Sequence, residues 1–155
     1  VLKNALQGIG EYYEFIIIDC PPVLKGMSTA ALVASHSILV PIKPGHFSLE
    51  AVDRLIEYFN WLREIANPDL RIEGILMTMY EKDSKVTKIS ERELKIKHGS
   101  YLLNTMIPNT NLLNEASFYG KPLCLYRVNS EGSLAYLNLA NEIITNEKKR
   151  VKETA

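Results

Sequence analysis

The stretch YEFIIIDCPP, residues Tyr13–Pro22, places one carboxylate directly after a run of apolar residues. The run is typical of a strand covered on both faces, and it ends at Asp19. Two prolines after Cys20 make a rigid corner without amide donors. A strand holds its last side chain rigidly, so Asp19 could orient the water shell of a magnesium ion beside nucleotide phosphates. In the competing interpretation, Asp19 only caps the following turn or helix.

Length, charge and cysteine content limit the possible classes of protein. A chain of 155 residues fits one domain with its own core. The 18 basic and 18 acidic residues balance, so overall charge gives no reason to expect a nucleic-acid or membrane partner. Cys20 and Cys124 match no metal or redox spacing, and the three histidines form no ligand pair. We therefore expect a cytoplasmic protein without a histidine metal site.

Strand-like and helix-like segments alternate along the chain. The predicted strands are Phe15–Asp19, Ser37–Ile42, Ile72–Tyr80 and Leu103–Pro108. The predicted helices are Ser28–Ala34, Leu49–Ala66, Lys85–Lys97 and Glu131–Lys149, with Ser48 and Ser130 as N-caps of the second and fourth. This alternation predicts an α/β fold, a mostly parallel sheet with helices on both faces and a ligand site at the carboxyl edge. We expect one domain over residues 1–146 and a charged tail over residues 147–155.

Four segments carry a resemblance when they are taken in order. YEFIIIDCPP is followed by STAALVASHSILVPIKPGHFSLEAVDRLIEYF, by NPDLRIEGILMTMYEKDSK and by IPNTNLLNEASFYGKPLCLYRVNSEGSLAYLNLANEII. As a set they resemble the ParA/Soj-type partition ATPases, which are P-loop proteins with a deviant Walker A motif and relatives of MinD. The resemblance covers Tyr12–Ile144 and implies a P-loop NTPase fold of the AAA/CbiA type.

The resemblance also implies a site. Asp19 corresponds to the Walker B acid, which holds magnesium through water. The switch II loop corresponds to Cys20, Pro21 and Pro22, with Lys25 and Gly26 in the moving part. The adenine side of the nucleotide pocket corresponds to Thr78, Met79, Pro108 and Asn109.

By the same resemblance, the protein is an ATP-dependent dimerisation and DNA-binding switch that acts in plasmid or chromosome partitioning. Its expected cofactors are ATP and magnesium. Its expected partners are a second copy of itself, a centromere-binding protein of the ParB type and non-specific DNA. Membrane anchoring is not expected, because the tail NEKKRVKETA carries Val151 as its one bulky apolar residue.

Two departures from the family pattern qualify this picture. The phosphate loop K-G-G-x-G-K-[ST] does not occur in the chain, which looks like the C-terminal portion of a longer protein or a degenerate remnant. Without that cradle of backbone amides, we expect this chain alone neither to bind ATP tightly nor to hydrolyse it. Asn109 and Leu112 replace two arginines of the family. Candidate basic residues that could compensate on DNA are Lys82, Lys85, Lys88, Arg92, Lys95, Lys97, Lys148, Lys149, Arg150 and Lys152.

Other interpretations stay open. The basic residues could simply be solvated helix faces and a frayed end. The chain could be a ParA-like interaction or dimerisation module without catalysis, which the missing phosphate loop motivates. It could also be another superfamily member, such as a tyrosine-kinase cytoplasmic domain or a flagellar or septum-positioning ATPase. The lack of a C-terminal tyrosine cluster speaks against the kinase, and the tail speaks against the positioning ATPase.

Overall fold

The structure is a computed structural model that describes residues 2–154. The chain divides into two compact units, Val1–Ile38 with Asp53–Ile72 and Leu39–Val52 with Glu73–Ala155. The described helices are α1 (Leu2–Ala5), α2 (Met27–Ala34), α3 (His46–Ile65), α4 (Lys85–His98), α5 (Leu112–Phe118), α6 (Leu123–Tyr126) and α7 (Glu131–Thr154), with a short 3-10 helix at Ile9–Glu11.

Within the described residues, the strands β1 (Ser37–Ile42), β2 (Arg71–Tyr80) and β3 (Leu102–Pro108) form one sheet in the order β1-β2-β3. The sheet is parallel and flanked by helices, which confirms the predicted fold class. Strand β1 lies at an edge in this order, as expected for a strand that contains Pro41 and therefore lacks one amide donor.

Strand β3 bulges where it pairs with β2. Ile75 lies opposite Leu102 and Met77 opposite Met106, so β3 advances four residues while β2 advances two. The amides of Asn104 and Thr105, within this bulge, donate to the two carboxylate oxygens of Glu142 at 2.8 and 2.9 Å. A side chain of α7 therefore satisfies two backbone donors of the bulge.

The core of the second unit lies between the sheet and α7. Leu76 of β2 packs with Leu103 and Ile107 of β3 against Ala135 and Leu139 of α7. These positions recur on α7 at helical spacing, so the strands and one stripe of the helix are covered together. Burial of this kind supplies most of the stability of a helix in a protein.

The core of the first unit joins α2 and α3. Leu32 packs with Phe59, Leu62 and Leu70, the last of which is 0% exposed. Buried Asn67 donates from Nδ2 to the carbonyls of Leu32 at 2.9 Å and Ser35 at 2.8 Å. This amide therefore satisfies the end of α2, where the last carbonyls lack helical partners.

Most predicted elements are confirmed within a few residues, and two helix ends differ. Helix α3 begins at His46, so Ser48 lies inside the helix rather than capping it. Helix α7 continues to Thr154, beyond the predicted end at Lys149. Arg150 explains the extension, because its guanidinium donates to both carboxylate oxygens of Glu73 at 2.7 Å. The cap predicted at Ser130 is confirmed, since its Oγ accepts the amide of Ser133 at 3.2 Å.

The strand predicted at Phe15–Asp19 is wrong for this structure. The segment is neither helix nor strand, and Ile17 is 91% exposed. Among the described residues, no backbone carbonyl accepts an amide of Phe15–Asp19. A strand needs a neighbour that takes its backbone hydrogen bonds, and apolar residues alone cannot replace that neighbour.

Candidate functional site

The carboxyl ends of β2 and β3 meet in the second unit. Tyr80 lies opposite Pro108 in the register, and the amide of Asn109 donates to the Tyr80 carbonyl at 2.9 Å. The Asn109 side chain is held as well, because its Nδ2 donates to Glu81 Oε1 at 3.0 Å. The structure therefore brings together the two sequence segments from which the adenine-side residues were predicted. This edge is where ligands bind in open parallel sheets.

Thr78 and Met79 differ in their accessibility at this edge. The Thr78 hydroxyl donates to the Ile42 carbonyl at the end of β1, at 3.1 Å. Met79 is 62% exposed and has a φ of 53°, which is the left-handed conformation that non-glycine residues rarely adopt. Such strain costs about 1–3 kcal/mol and is concentrated at functional sites. Met79 is thus the side chain that a ligand could contact, whereas Thr78 joins the ends of β1 and β2.

Sequence reasoning missed the role of Tyr80, which lies at the same edge. Its hydroxyl donates to Glu131 Oε1 at 3.2 Å, across 51 residues of sequence. Burial, which is the largest cause, and the hydrogen bond and charge of Glu131 raise the pKa of Tyr80 above its ordinary value of 10.0. The hydroxyl therefore stays protonated at neutral pH. An acidic residue in the first turn of a helix is common, so Glu131 gave no distinct signal in the sequence.

The predicted Walker B and switch II residues lie in the first unit. Asp19, Cys20, Pro21 and Pro22 are all exposed. Ser28 of α2 donates from Oγ to the Pro21 carbonyl at 3.2 Å, which fixes the corner that the two prolines make. Gly26 immediately precedes α2 with a φ of 58°, a conformation that glycine adopts without strain.

A magnesium ion at Asp19 would depend on other ligands. Within the described part of the chain, no group of three or more His, Cys, Asp or Glu side chains is placed to hold a metal ion. Magnesium commonly uses one carboxylate and takes its remaining ligands from water and nucleotide phosphates. The single carboxylate of Asp19 suits that mode of binding. It does not by itself make a site in which protein side chains supply all the ligands.

The predicted basic residues divide into two groups. The α4 residues Lys85, Lys88, Arg92 and Lys95 are exposed, and Lys95 also forms an ion pair with Glu91 on the same helix. Arg150 instead pairs with Glu73 and with Glu147 at 2.9 Å, and the hydrogen bond to Glu73 raises the pKa of Arg150 above its usual range. Arg150 therefore anchors α7. It is no longer one of the candidate residues for contact with DNA phosphates. Among the described residues, no helix has the length and apolar character needed to cross a membrane.

One family model and several curated proteins are similar to this chain. The AAA domain family matches residues 1–72. Soj, the sporulation initiation inhibitor protein of Bacillus subtilis, is 36% identical over 145 residues, which cover 94% of this chain and 57% of Soj. The chromosome partitioning protein ParA of Caulobacter vibrioides is 32% identical over 156 residues, 99% of this chain and 58% of that protein. The chain thus spans somewhat more than half the length of these relatives.

Solved structures agree on the fold. The cobyrinic acid a,c-diamide synthase of Mycobacterium smegmatis with bound ADP and magnesium matches with a TM-score of 0.75 and 25% identity, over 95% of this chain and 53% of the synthase. The Pyrococcus furiosus cell division ATPase MinD matches with a TM-score of 0.75 and 22% identity, over 93% of this chain and 57% of MinD. These structures show the fold, and the sequence relatives show that the chain is similar to ParA and Soj over somewhat more than half of their length.

Proposed function

We propose that this chain carries the Walker B and adenine-side parts of a partition ATPase that binds ATP and magnesium. The observation that carries the proposal is the meeting of the β2 and β3 ends, which places Pro108 and Asn109 beside the end of the TMY segment. In this proposal, Met79, Pro108 and Asn109 contact the adenine, and Thr78 holds their strand in place. The Mycobacterium smegmatis synthase, solved with ADP and magnesium, supports a nucleotide role for the fold.

Asp19 would act on the magnesium ion through water. Its carboxylate would orient the metal's water ligands, and the bound metal would neutralise charge that develops on the phosphates. The loop Cys20–Gly26 would act as switch II, because the fixed corner at Pro21 is followed by the permissive Gly26. Phe15–Asp19 would become a strand when a partner strand, from the part of the relatives that this chain does not match, takes up its amides.

The phosphates themselves need a cradle that this chain does not carry in its sequence. We therefore propose that hydrolysis requires the phosphate loop of a complete family member. The complete protein would dimerise with a second copy, respond to a centromere-binding protein of the ParB type and bind DNA without sequence preference. The exposed cations of α4 are the candidate DNA contacts of this chain. It would act in the cytoplasm, on a plasmid or a chromosome.

A chimera tests the proposal. The chain replaces the matching part of Bacillus subtilis Soj, which supplies the remainder of the protein. We expect magnesium-dependent ATP hydrolysis, and we expect Asp19→Ala to lower it by roughly a hundredfold, because metal stabilisation of the transition state contributes several kcal/mol. Asp69→Ala is the matched control, since Asp69 is also an exposed aspartate of the first unit. Thermal melting of both variants checks that the fold is retained.

The second candidate function is an interaction module without catalysis, and the missing phosphate loop favours it. If this second function is correct, the chimera folds and dimerises but does not hydrolyse ATP. Equal hydrolysis by the Asp19→Ala and Asp69→Ala variants would show that Asp19 is not the metal-orienting acid. Binding of ATP without any magnesium dependence would have the same meaning.

A further inference from the structure

Helix α4 is held in the second unit by one of its faces. Thr87, Ser90 and Leu94 follow each other at three- and four-residue steps along this face, and all three are buried. The Ser90 hydroxyl accepts the Gly45 amide at 3.0 Å, and the Ser84 hydroxyl caps the helix by accepting the Thr87 amide. These contacts fix the position of α4, so its opposite face is a rigid surface that is open to solvent.

The solvent face of α4 carries two stripes of side chains. The apolar stripe consists of Val86, Ile89 and Ile96, which are 52%, 58% and 73% exposed. The cationic stripe consists of the exposed residues Lys85, Lys88, Arg92 and Lys95. Both sets follow the spacing of a helix, so each forms a line along the surface, and the two lines are adjacent. Aligned exposed aliphatic side chains of this kind, unlike scattered ones, indicate an interaction surface.

The apolar stripe has the spacing of a coiled-coil contact. Counted from Val86, the a, d, a and d positions of two successive heptads are Val86, Ile89, Glu93 and Ile96. Lys85 and Arg92 each precede an a position, so they take the flanking g positions. The helix has 14 residues and is therefore about 20 Å long, enough to present both heptads to a partner helix.

The flanking positions select the charge of that partner. Among the described residues, neither Lys85 nor Arg92 forms an ion pair, whereas Lys95 pairs with Glu91 on α4 itself. An acidic helix with apolar a and d positions satisfies both stripes at once, while DNA phosphates would satisfy the cationic stripe alone. Glu93 lies within the apolar line, where a basic residue of a partner helix suits it better than the lipid of a membrane surface.

We propose that α4 is a docking site for an acidic amphipathic helix of a partner protein. The apolar residues of the partner pack on Val86, Ile89 and Ile96, and its flanking carboxylates pair with Lys85 and Arg92. The inference goes beyond the proposed nucleotide site and does not depend on it. It shares two cations with the proposed DNA contacts, but contact with DNA phosphates does not require the isoleucines, so the two can be separated by experiment.

A designed peptide serves as the probe. It has three repeats of Glu-Ile-Ala-Ala-Leu-Glu-Gln, with lysine in place of isoleucine in the middle repeat to face Glu93, and it carries fluorescein at its N-terminus. Titration with the 155-residue chain should show saturable binding by fluorescence anisotropy, with a Kd on the order of 10–100 μM for so short an interface. The counterpart with lysine in place of every glutamate should not bind, and neither should a scrambled peptide of the same composition.

One pair of variants tests the apolar stripe. The double variant Ile89→Ala and Ile96→Ala should weaken binding by about tenfold or more, because two side chains no longer become buried in the complex. The double variant Ile17→Ala and Ile65→Ala is the matched control, since both isoleucines are exposed and lie outside α4. It should bind the peptide as the parent does.

A second pair tests the cationic stripe. The double variant Lys85→Gln and Arg92→Gln should weaken binding by about threefold or more at low salt and should make the remaining binding less sensitive to salt. The double variant Lys148→Gln and Lys149→Gln, at exposed lysines of α7, is the control and should change neither. Thermal melting checks that every variant is folded, which we expect because all the substituted side chains are exposed.

Four results would overturn the proposal. The first is no binding of the acidic peptide, and the second is equal binding of the scrambled one. The third is undiminished binding by the folded isoleucine variant, which would show recognition by charge alone, as in contact with DNA. The fourth is tighter binding to vesicles of phosphatidylserine and phosphatidylcholine that depends on the same isoleucines, which would assign the surface to a membrane. Binding should also persist in the Soj chimera, and its loss there would show that other parts of the protein cover α4.

Discussion

Two apolar runs of this chain, each containing isoleucine, differ in how far they are buried. Ile75 of β2 is 0% exposed and lies between packed neighbours, whereas Ile17 of the run Phe15–Asp19 is 91% exposed. Both runs read as buried strands in the sequence. The difference is that β2 has a strand beside it that accepts and donates backbone hydrogen bonds, and the Phe15–Asp19 run has no such strand among the described residues. Apolar character therefore makes a strand only where a neighbour satisfies its backbone.

The comparison extends to function. The predicted adenine-side residues lie at the ends of strands that are paired with each other. Asp19 instead follows a run whose backbone is not paired with a strand among the described residues. A carboxylate can orient a metal only when the backbone that carries it is held rigidly. The edge formed by β2 and β3 is therefore already paired, whereas the run before Asp19 would need a further strand to hold its backbone.

The largest expected effect comes from truncating each isoleucine. Ile75→Ala removes a fully buried side chain and should lower the free energy of unfolding by about 3–4 kcal/mol, through lost burial and a residual cavity. Ile17→Ala removes an exposed side chain and should change it by less than about 0.5 kcal/mol. Urea unfolding of the two variants measures the contrast. A similar loss at both positions would mean that Ile17 is buried in solution.

A smaller effect should follow from releasing α7 from β2. Arg150→Met leaves Glu73, whose side chain is 7% exposed, without its guanidinium partner. We expect a loss of about 2 kcal/mol, less than for a completely buried pair because Arg150 itself is 31% exposed. Lys149→Met, one residue away at an exposed position, is the control and should be nearly neutral. Circular dichroism would also show whether the last turns of α7 unfold.

The smallest effect concerns the bulge of β3 and depends on pH. Burial, the largest single cause, raises the pKa of Glu142, but the hydrogen bonds from Thr105 and Asn104 together lower it below the ordinary value of 4.5. The stabilisation of the folded state by the Glu142 carboxylate is therefore complete at pH values above 4.5. The contribution is lost as the pH falls through the lowered pKa of the folded state.

Glu142→Gln should lower stability at neutral pH by about 1 kcal/mol, since one amide-type acceptor replaces two carboxylate oxygens in a partly solvated site. The variant should also lose less stability than the parent between about pH 5 and pH 3. Urea midpoints at several pH values measure both effects. Parallel pH profiles for parent and variant would show that Glu142 does not hold the bulge through its charge.

The sequence was sufficient for the elements that local pattern defines. Ser37–Ile42 and the α2 and α4 helices are confirmed nearly residue for residue, because each of them depends on residues within or beside the element. The remaining features depend on distant contacts. Arg150 reaches Glu73 across 77 residues, and Glu142 reaches Asn104 across 38. The left-handed backbone of Met79 likewise has no local signal, since methionine is not a residue that favours it.

The unpaired run around Ile17 gives the most direct test, through amide hydrogen exchange measured by NMR. In this chain, the amides of Ile16–Ile18 should exchange within about tenfold of an unstructured peptide, while those of Ile75–Met77 should be at least about a thousandfold slower. In the Soj chimera, Ile16–Ile18 should become protected as the added strand pairs with them. Slow exchange at Ile16–Ile18 in this chain alone, or fast exchange there in an active chimera, would contradict the account.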